Sequence, residues 1–543
     1  MKVRRAILTP VVVAVVALAS GGWLLQRSAG ERNVYANARL FEDVLRRVNT
    51  SFVDPKDTGD LYRMAIDGML EELGDPHSAY LPAEEYEKLR VQTEGEYAGL
   101  GVQIIKRGDF ITVIAPLPGT PGDRAGLKAG DAIAEVDGVP TKNWTEDDAV
   151  SRLRGPSGSR VVLKVLRAGV DQPIKFEVVR EEIRIKSVPA AYLIAPDVGY
   201  VDLVLFNATA TNELRAAVTR LRQQGAKRLI LDLRQNPGGL LEEGSQVADL
   251  FLPKQALIVE TRSRVPGQNQ KLFATTDDQF PNMPITVLVG PGSASASEIV
   301  AGALQDHDRA LVLGSTTYGK GSVQTVFPLG GNNWLKLTTA RWYTPVGRSI
   351  QKAYEADETH PLADNGAEGD TAQARRPAFK TDGGRTVFGG GGIIPDLEVG
   401  ADTLTAQERA LRQGLAQYGS EYAAQRLKFS VEFIGGNPQL KDNFEVTDAM
   451  LAQFYARLQQ AGVKVDRDLF RNARRWVEYD LGYDIAYSKW GQEAARKRTN
   501  EVDPQVRTAI RLLHEADSPR ALFTAAEHLA PRTAAKAGGP EPR

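Results

Sequence analysis

Residues 285–299 read ITVLVGPGSASASEI, and this stretch decides the fold. Its first five residues are apolar or β-branched, a pattern that predicts a buried strand. Small and polar residues follow, and an amphipathic helical pattern begins after them. A serine at this junction, such as Ser295, lies at a helix N-terminus, where free N–H groups and the helix dipole stabilise an oxyanion. A Ser-rich helix cap gives the same pattern, so this segment alone leaves both interpretations open.

A second strand-to-turn junction lies at residues 231–239, which read LDLRQNPGG. Paired glycines can aim backbone N–H groups at one point, and an oxyanion hole needs two donors about 2.7 to 3.1 Å from the developing charge. The N–H group of Gly238 or Gly239, together with that of Ala296, would supply them. A tight strand-to-helix turn uses Pro-Gly-Gly equally well, so that interpretation also stays open.

Residues 314–322 read GSTTYGKGS and come within one residue of the phosphate-binding pattern G-x-x-x-x-G-K-[ST], because Gly321 takes the last position. A phosphate-binding loop leads into a helix, whereas the residues after Gly321 are β-rich. A nucleotide hydrolase is therefore a disfavoured alternative. In a strand, Lys320, Ser322 and Gln324 share one face by the period of two, so Lys320 and Gln324 can converge on one site.

A serine nucleophile needs a general base, and the chain has only five histidines. None lies in a segment that resembles part of a Ser-His-Asp triad. His307 follows Ser295 by about three helical turns, which favours a surface or packing role. A lysine freed of its proton by desolvation can serve as the base instead.

Composition excludes several classes of protein. Lys and Arg number 67 against 68 Asp and Glu, so the chain lacks the basic excess that nucleic-acid binding requires. The absence of cysteine removes disulfide scaffolds, thiolate zinc sites, iron–sulfur clusters and cysteine nucleophiles. With 42% hydrophobic and 25% charged residues, the composition is typical of a globular protein.

Residues 1–30 predict a signal peptide or a membrane anchor. Lys2, Arg4 and Arg5 precede an uncharged stretch of residues 6–25. That stretch contains an Ala-Leu-Ala cleavage motif at 17–19, yet it is also about long enough to span a membrane, so cleavage stays open. In either case we expect export to the periplasm or the extracytoplasmic face of the cell membrane, with a single-pass anchor if the segment is uncleaved.

A length of 543 residues predicts several domains. Helical spacing of apolar residues predicts a helical region over residues 31–92. Short β-rich runs between Gly and Pro turns predict a β-rich domain over residues 93–182. Alternating strand and helix patterns predict an α/β core over residues 183–400.

Three further segments complete the organisation. Residues 352–392 are rich in Asp, Glu, Gly and Pro, so we expect an exposed insertion or flexible loop in the α/β core. Helical spacing returns over residues 401–531, and residues 532–543 predict a disordered tail. The fold class is therefore a multidomain α+β and α/β chain with helical regions on both sides of its β-rich and α/β domains.

Taken together, residues 295–298, 232–239 and 319–324 resemble the motifs of the carboxy-terminal processing proteases, which are tail-specific serine endopeptidases. The resemblance extends to residues 75–81 and 337–351 and covers the chain from about residue 38 to 398. It implies a core similar to the crotonase-like and Clp-type α/β architecture, with neither a metal nor an organic cofactor.

The resemblance also implies roles for individual residues. Ser295 would be the nucleophile and Lys320 the general base, and Gln324 would orient the lysine. The oxyanion hole would consist of the N–H groups of Ala296 and of Gly238 or Gly239.

The β-rich domain resembles a PDZ module of the bacterial protease type. The resemblance lies in Gly99-Leu100-Gly101-Val102 and in residues 125–131, which read AGLKAGD. Successive N–H groups in the first stretch can bind a C-terminal carboxylate, while the strand that follows pairs with an extended peptide. A glycine turn of a β-hairpin is the alternative, and the second stretch favours PDZ.

These motifs together predict an exported serine endopeptidase that captures the C-terminal tails of exported or envelope proteins and cleaves them with a Ser/Lys dyad. The alternative is a catalytically silent PDZ adaptor that only binds tails. Nucleic acid is not an expected partner, membrane contact depends on the uncleaved N-terminal segment, and a homo-oligomer stays open.

Overall fold

The computed structural model describes residues 34–167, 169–352, 376–401 and 403–529. They fall into two compact units. The first consists of the chain up to Ala83 together with Gln324–Thr338, and the second of Glu84–Val323 and the chain from Thr339 onward.

The first unit begins with two helices, as the helical spacing predicts. Helix α1 covers residues 34–51, helix α2 covers Thr58–Glu71, and strand β1 covers Ala79–Pro82. Strand β1 pairs antiparallel with residues 333–336 of the same unit. Both helices expose large apolar side chains, among them Val34, Tyr35, Leu40, Phe41, Val44, Met64 and Met69.

The second unit opens with a small β domain, as the short β-rich runs predict. Its elements are α3 (Ala83–Glu94), β2 (Glu96–Gly99), β3 (Val102–Arg107), β4 (Phe110–Pro116), α4 (Pro121–Arg124), β5 (Ala132–Val136), β6 (Val139–Pro140), α5 (Glu146–Leu153), β7 (Arg160–Leu166), β8 (Ile174–Val179) and β9 (Glu181–Arg184). The sheet order is β3-β4-β5-β7-β8, so β3 is an edge strand. Ile111, Val113, Ile133 and Leu163 fill the core beneath the sheet.

The α/β core follows and belongs to the second unit except for residues 324–338, two strand segments and their connection, which belong to the first. Its elements are β10 (Ala190–Ala195), β11 (Val198–Asp202), α6 (Ala210–Gln223), β12 (Arg228–Asp232), α7 (Leu241–Asp249), β13 (Leu257–Ser263), β14 (Gln270–Phe273), β15 (Ile285–Val289), α8 (Ala296–Asp306), β16 (Leu311–Gly314), β17 (Ser322–Leu329), β18 (Asn333–Tyr343), β19 (Ala378–Lys380), β20 (Thr386–Phe388) and β21 (Leu397–Glu398). The central sheet has the order β10-β11-β12-β15-β16-β21. Within this sheet, β11, β12, β15, β16 and β21 run parallel to one another. The carboxyl ends of β12 and β15 therefore lie side by side at one edge of the sheet.

Helical segments make up the rest of the described chain. They are α9 (Ala406–Ala416), α10 (Gly419–Gly436), α11 (Asp448–Gln460), α12 (Arg467–Asn472), α13 (Arg474–Trp490), α14 (Gln492–Asn500), α15 (Pro504–His514) and α16 (Pro519–Leu529). Helices α9 to α13 share a core of their own around Phe454 and Val477.

The two faces of the central sheet are covered by different parts of the chain. Helices α6, α7 and α8 pack on one face through residues such as Leu214, Val247 and Val300. Helices α15 and α16 pack on the other face, where Leu512 and Leu522 lie in the same cluster as strand residues of β11, β12, β15 and β16. Helices α15 and α16 therefore pack as part of the α/β core.

Residues 352–392 differ in part from the irregular loop that the composition predicts. Residues 376–392 contain the hairpin β19–β20, in which Val387 is buried. Arg385 anchors this hairpin because its guanidinium pairs with Asp308 (2.6 Å) and Asp396. Residues 376–392 of the predicted insertion thus contain a hairpin tied to the rest of the core by partly buried ion pairs.

Several predicted segments lie outside the described residues, namely the signal peptide or anchor at 1–30, residues 353–375 of the insertion and the tail at 532–543. Among the described helices, none combines the length and the apolar character needed to cross a membrane.

Candidate active site

Ser295 lies in the catalytic turn, residues 292–298, between β15 and α8. It occupies the N-cap position of α8 with φ 53° and ψ −115°. This region of backbone space is strained for a residue with a side chain, and such strain persists only where the surroundings fix it. The turn therefore holds Ser295 in a defined position at the N-terminus of a helix whose residues are all buried.

Glu298, in the first turn of α8, fixes the catalytic turn through its side chain. Its buried carboxylate accepts hydrogen bonds from the N–H groups of Ser295 (2.9 Å), Gly319 (2.7 Å) and Lys320 (2.9 Å), and from the Thr317 hydroxyl (2.5 Å). Burial raises the pKa of Glu298, and these four donors oppose that rise. One carboxylate thus joins the backbones of the candidate nucleophile and the candidate base.

The roles predicted from the sequence gave Glu298 no function. A signal was present, because Ser295 followed three residues later by Glu298 matches the S-x-x-E capping pattern. Here the glutamate binds the N–H group of the N-cap residue and also reaches a separate loop, which the local pattern does not reveal.

The glycine turn, residues 234–239, packs directly against the catalytic turn. A Cβ atom at Gly238 would lie 2.7 Å from the Ala294 carbonyl oxygen and 2.7 Å from the Ser295 Cβ, and the φ of Gly238 is +100°. Only glycine fits these two conditions. The Ser297 hydroxyl ties the turns together because it donates to the Asn236 carbonyl at 2.8 Å.

The candidate oxyanion donors differ in availability. Ala296 is the first residue of α8, so its N–H group has no partner within the helix. The N–H group of Gly238 donates to the Asn236 side chain at 2.9 Å. Gly239 is held beside Phe206, where a Cβ atom would lie 2.2 Å from the Phe206 carbonyl oxygen. Gly238 thus lies nearer to Ser295 and Ala296 but its N–H group has an acceptor, and both glycines stay candidates for the second donor.

Lys320 lies in the loop before β17, which begins only at Ser322. The period-two argument that placed Lys320 and Gln324 on one strand face therefore does not apply to the lysine. Its backbone is held from two sides, since its N–H group donates to Glu298 and its carbonyl accepts from the Trp342 indole at 3.1 Å. A strand follows this loop, so the helix that a phosphate-binding loop requires is not there.

Gln324 belongs to the first unit, unlike Ser295 and Lys320. Its side-chain amide lies 3.3 Å from the Thr338 hydroxyl of the same unit. Its predicted role in orienting Lys320 stays a prediction.

A buried ionic cluster lies at the carboxyl ends of β11 and β12, where Asp202 and Asp232 are register partners. Arg234 donates to both oxygens of Asp232 and also pairs with Asp503 (2.5 Å). Arg496 pairs with Asp202 at 2.8 Å. Residues from α14 and from the cap of α15 therefore hold the start of the glycine turn.

The two aspartates of this cluster have different proton affinities. Burial tends to raise the pKa of Asp232, but Arg234 and the Tyr200 hydroxyl outweigh it, and the pKa is lowered. Burial, together with the neighbouring Asp232, raises the pKa of Asp202 to about 6 despite the opposing charge of Arg496. The sequence carried no signal for the ion pair between Arg496 and Asp202, since the two residues lie almost 300 positions apart.

His307 has the packing role that its spacing favours. Its Nδ1 lies 2.7 Å from a carboxylate oxygen of Asp382, and its Nε2 lies 2.7 Å from the Leu257 carbonyl oxygen. Across the described residues, no group of three or more His, Asp or Glu side chains is placed to hold a metal ion.

The PDZ loop, residues 99–102, connects β2 to the edge strand β3. Its backbone is fixed by hydrogen bonds to the Leu100 carbonyl from Gly122 N–H (2.8 Å) and to the Gly101 carbonyl from Leu117 N–H (2.8 Å). Gly101 has φ +67°. In this described part of the chain, the N–H groups of Leu100 and Gly101 donate to no protein acceptor. The loop can therefore offer them to a carboxylate.

Comparison with known proteins matches the two domains in which these candidate sites lie. Residues 197–360 match the model of Peptidase family S41, and residues 88–166 match the PDZ domain model. A carboxy-terminal-processing protease of Bartonella bacilliformis is 43% identical over 325 residues, which cover 59% of this chain and 74% of that protein. The two models define the chain as a PDZ-containing protease of family S41.

The chain is also similar to two solved structures. The photosystem II D1 C-terminal processing protease is 31% identical, covering 57% of this chain and 89% of that chain with a TM-score of 0.34. The PDZ domain of the carboxy-terminal protease of Vibrio cholerae, solved with a peptide, is 31% identical, covering 17% of this chain and 99% of that chain with a TM-score of 0.16. By its similarity to the Bartonella protein, the chain belongs to the carboxy-terminal-processing protease family.

Proposed function

We propose that this protein is an exported serine endopeptidase that binds the C-terminal tails of other exported proteins through its PDZ domain and cleaves them with Ser295 and Lys320. The observation that carries the proposal is the Glu298 carboxylate, which accepts from the N–H groups of both Ser295 and Lys320. A chain that only bound tails would have no need of a buried carboxylate that joins these two residues.

The reaction follows from the two turns. The Ser295 hydroxyl attacks the scissile carbonyl carbon, and its proton passes to the neutral amine of Lys320. The negative charge on the carbonyl oxygen is stabilised by the N–H groups of Ala296 and of Gly238 or Gly239. Lys320 then gives the proton to the leaving amine as the C–N bond breaks. Water hydrolyses the acyl-enzyme in the same way, which releases the new C-terminus and restores Ser295.

The test is cleavage of an unstructured tail peptide by three variants. Ser295→Ala should lower kcat by about 10⁴-fold or more while leaving peptide binding intact. Lys320→Arg should lower kcat by about 10²-fold or more, because a guanidinium stays protonated and cannot act as a base. Lys227→Arg, on the exposed surface, is the control and should keep the activity of the original protein.

Two results would overturn the Ser/Lys mechanism. One is turnover by Ser295→Ala or Lys320→Arg at the rate of the unsubstituted protein. The other is loss of activity in EDTA that zinc restores. A protein that binds tail peptides but cleaves none under any condition would instead support the silent adaptor.

Export is a separate part of the proposal, and it rests on the basic residues and the uncharged stretch within residues 1–30. Fractionation of cells that make the full chain should place it in the periplasmic or membrane fraction. Replacing Lys2, Arg4 and Arg5 by Glu should move it to the cytoplasmic fraction.

A further inference from the structure

The outer face of the β3–β4 hairpin is partly covered by other segments of the chain, since Ile105 and Ile114 are half-buried while Gln103 is exposed. Within the second unit, helices α10 and α13 lie over this face. The Tyr487 hydroxyl of α13 donates to the Gln103 side chain of β3 at 2.9 Å. A peptide that pairs with β3 would therefore meet the helical region as well as the PDZ domain.

A cavity of about 160 Å³ lies between the hairpin and the two helices. Apolar side chains contribute much of its lining, namely Ile105, Ile114, Ala423, Ala424 and Leu427. An apolar cavity of about 150 Å³ is large enough to bind benzene, so this space can accept one branched or aromatic side chain.

The charged groups around the cavity differ in their partners. Arg426 pairs with Asp480 (2.5 Å) and with Asp484 (2.8 Å). The Lys106 ammonium donates to the carbonyl oxygens of Lys142 (3.2 Å) and Trp144. Burial lowers the pKa of Arg107, and the charge of Glu421 acts against that effect. The apolar side chains of the lining are therefore the surface that an apolar occupant would contact.

Strand β3 leaves one edge open beside this cavity. The Lys106 N–H group donates to the Glu146 carboxylate at 2.8 Å, which places that N–H on the edge away from β4. Because N–H directions alternate along a strand, those of Val102 and Ile104 point to the same open edge. A tail whose carboxylate is bound by the PDZ loop can run antiparallel to β3 along these groups.

The side chains of an added strand alternate between the two faces of the sheet. Counting back from the terminal residue as position 0, positions 0 and −2 share the face of Val102 and Ile104, which pack toward the PDZ core. Positions −1 and −3 share the face of Gln103 and Ile105, and Ile105 lines the cavity.

We propose that this cavity is a side-chain subsite for position −3 of the substrate tail, and that it selects a branched or aromatic apolar residue. The subsite rests on the proposed tail recognition and deepens it. Helices α10 and α13 thereby set part of the sequence specificity of the PDZ domain.

The experiment measures binding to the full chain carrying Ser295→Ala, so that no cleavage occurs. Fluorescent ten-residue peptides of one sequence carry Leu or Ala at position −3, each as free acid and as amide. The Leu free acid should bind about tenfold more tightly than the Ala free acid, since it buries more apolar surface. Ala423→Phe, which fills the cavity, should reduce that preference to less than about twofold, and Ala423→Ser should keep it.

Two further measurements separate a blocked subsite from a misplaced helix. Leu427→Ala enlarges the cavity and should make Phe at position −3 bind more tightly than Leu. Changing position −2 between Val and Ala should have the same effect with and without Ala423→Phe, because that side chain points to the other face.

The outcomes distinguish this subsite from the proposed function. Equal binding of free acid and amide would overturn tail recognition, and the subsite with it. Three results would overturn the subsite alone, provided that binding still requires the free acid. They are no preference at position −3, a preference for Glu over Leu there, and a preference that Ala423→Phe leaves unchanged.

Discussion

The catalytic turn and the PDZ loop both present backbone N–H groups to a carbonyl or carboxylate, yet they are held very differently. The catalytic turn contains a strained Ser295 and a buried Glu298 with four donors, and Gly238 of the glycine turn packs against Ser295. The PDZ loop, at the edge of a small sheet, is held by two backbone hydrogen bonds and by one from the Thr120 hydroxyl to the Gly101 carbonyl, with no buried charge among these contacts. The first arrangement suits chemistry, which tolerates little displacement, whereas the second suits binding of varied tails.

Among substitutions that keep both Ser295 and Lys320, the largest effect should come from Gly238→Ala. Its Cβ atom would press on the Ser295 Cβ and on the Ala294 carbonyl, so the nucleophile and the oxyanion donors must shift. We expect kcat to fall by about 10²- to 10³-fold, with little change in tail binding. Gly225→Ala is the matched control, because Gly225 has a similar φ of +106° and its nearest neighbour is 3.9 Å away. Equal losses in both variants would mean that backbone strain, not contact with Ser295, causes the effect.

Glu298→Gln should have the next largest effect. An amide keeps one acceptor oxygen and turns an NH2 group toward N–H donors, so the loops of Ser295 and Lys320 lose part of their shared anchor. We expect kcat to fall by about 10- to 100-fold while KM for the tail peptide stays within about twofold.

The control for Glu298 is Glu408→Gln. Glu408 has the same capping position in α9 and is also buried, and hydrogen bonds from Arg475 lower its pKa to about 2. This variant should lose stability in a thermal melt without losing kcat. A Glu298→Gln enzyme with unchanged kcat would show that the shared carboxylate does not position the dyad.

A smaller effect is expected from Gly101→Ala in the PDZ loop. The new Cβ atom would lie 2.3 Å from the Thr120 Cβ, which must displace the loop. We expect KM for a free-acid tail peptide to rise about tenfold. KM for the amidated peptide should change little, because that peptide lacks the charge-assisted hydrogen bonds of the carboxylate and already binds more weakly.

Gly108→Ala is the control for this prediction, since Gly108 has φ +53° and nothing within 4 Å of the new atom. If Gly101→Ala raised KM equally for both peptides, the loop would act on the peptide backbone in general and not on the terminal carboxylate.

The smallest effect concerns the pH dependence of stability. The pKa of Asp202 is raised to about 6, so the folded state keeps this proton to a higher pH than the unfolded state does. The contribution of Asp202 to the free energy of unfolding should therefore fall as pH rises from about 4 to about 6. Asp202→Asn removes that decline, so its stability relative to the unsubstituted protein should rise by about 2 kcal/mol between pH 4.5 and pH 7.

Thermal unfolding at the two pH values checks this difference. Asp517→Asn, at a side chain that is 99% exposed, should show no such change. A decline of the same slope in the Asp202→Asn protein would assign the titration to another group.

The local patterns of the sequence were sufficient for the strands and helices that frame both sites. The apolar run 285–289 followed by small residues predicts β15 and the start of α8, and the glycines at 99 and 101 predict the PDZ loop. These features depend on neighbours in the chain, which is where periodicity and turn chemistry are informative.

Contacts between distant segments were not predictable in this way. Arg496 and Asp503 reach the cluster at Asp202 and Asp232 only because α14 and α15 fold back onto the sheet. The helical spacing of α15 predicts an apolar face but does not say what covers it. For the same reason the amphipathic pattern of residues 401–531 predicts helices without indicating that the last two pack on the α/β core.

The packing of α15 and α16 on the central sheet has a consequence for the timing of folding. Tyr200, Ile230 and Leu288 bury their side chains against Leu512 and Leu522, so this face stays uncovered until residues 504–529 have been synthesised. Asp503, which holds Arg234 at the start of the glycine turn, arrives at the same moment. A nascent protease of this design should therefore stay inactive until its late helices dock, which protects the chain from cutting itself while its own segments are unfolded.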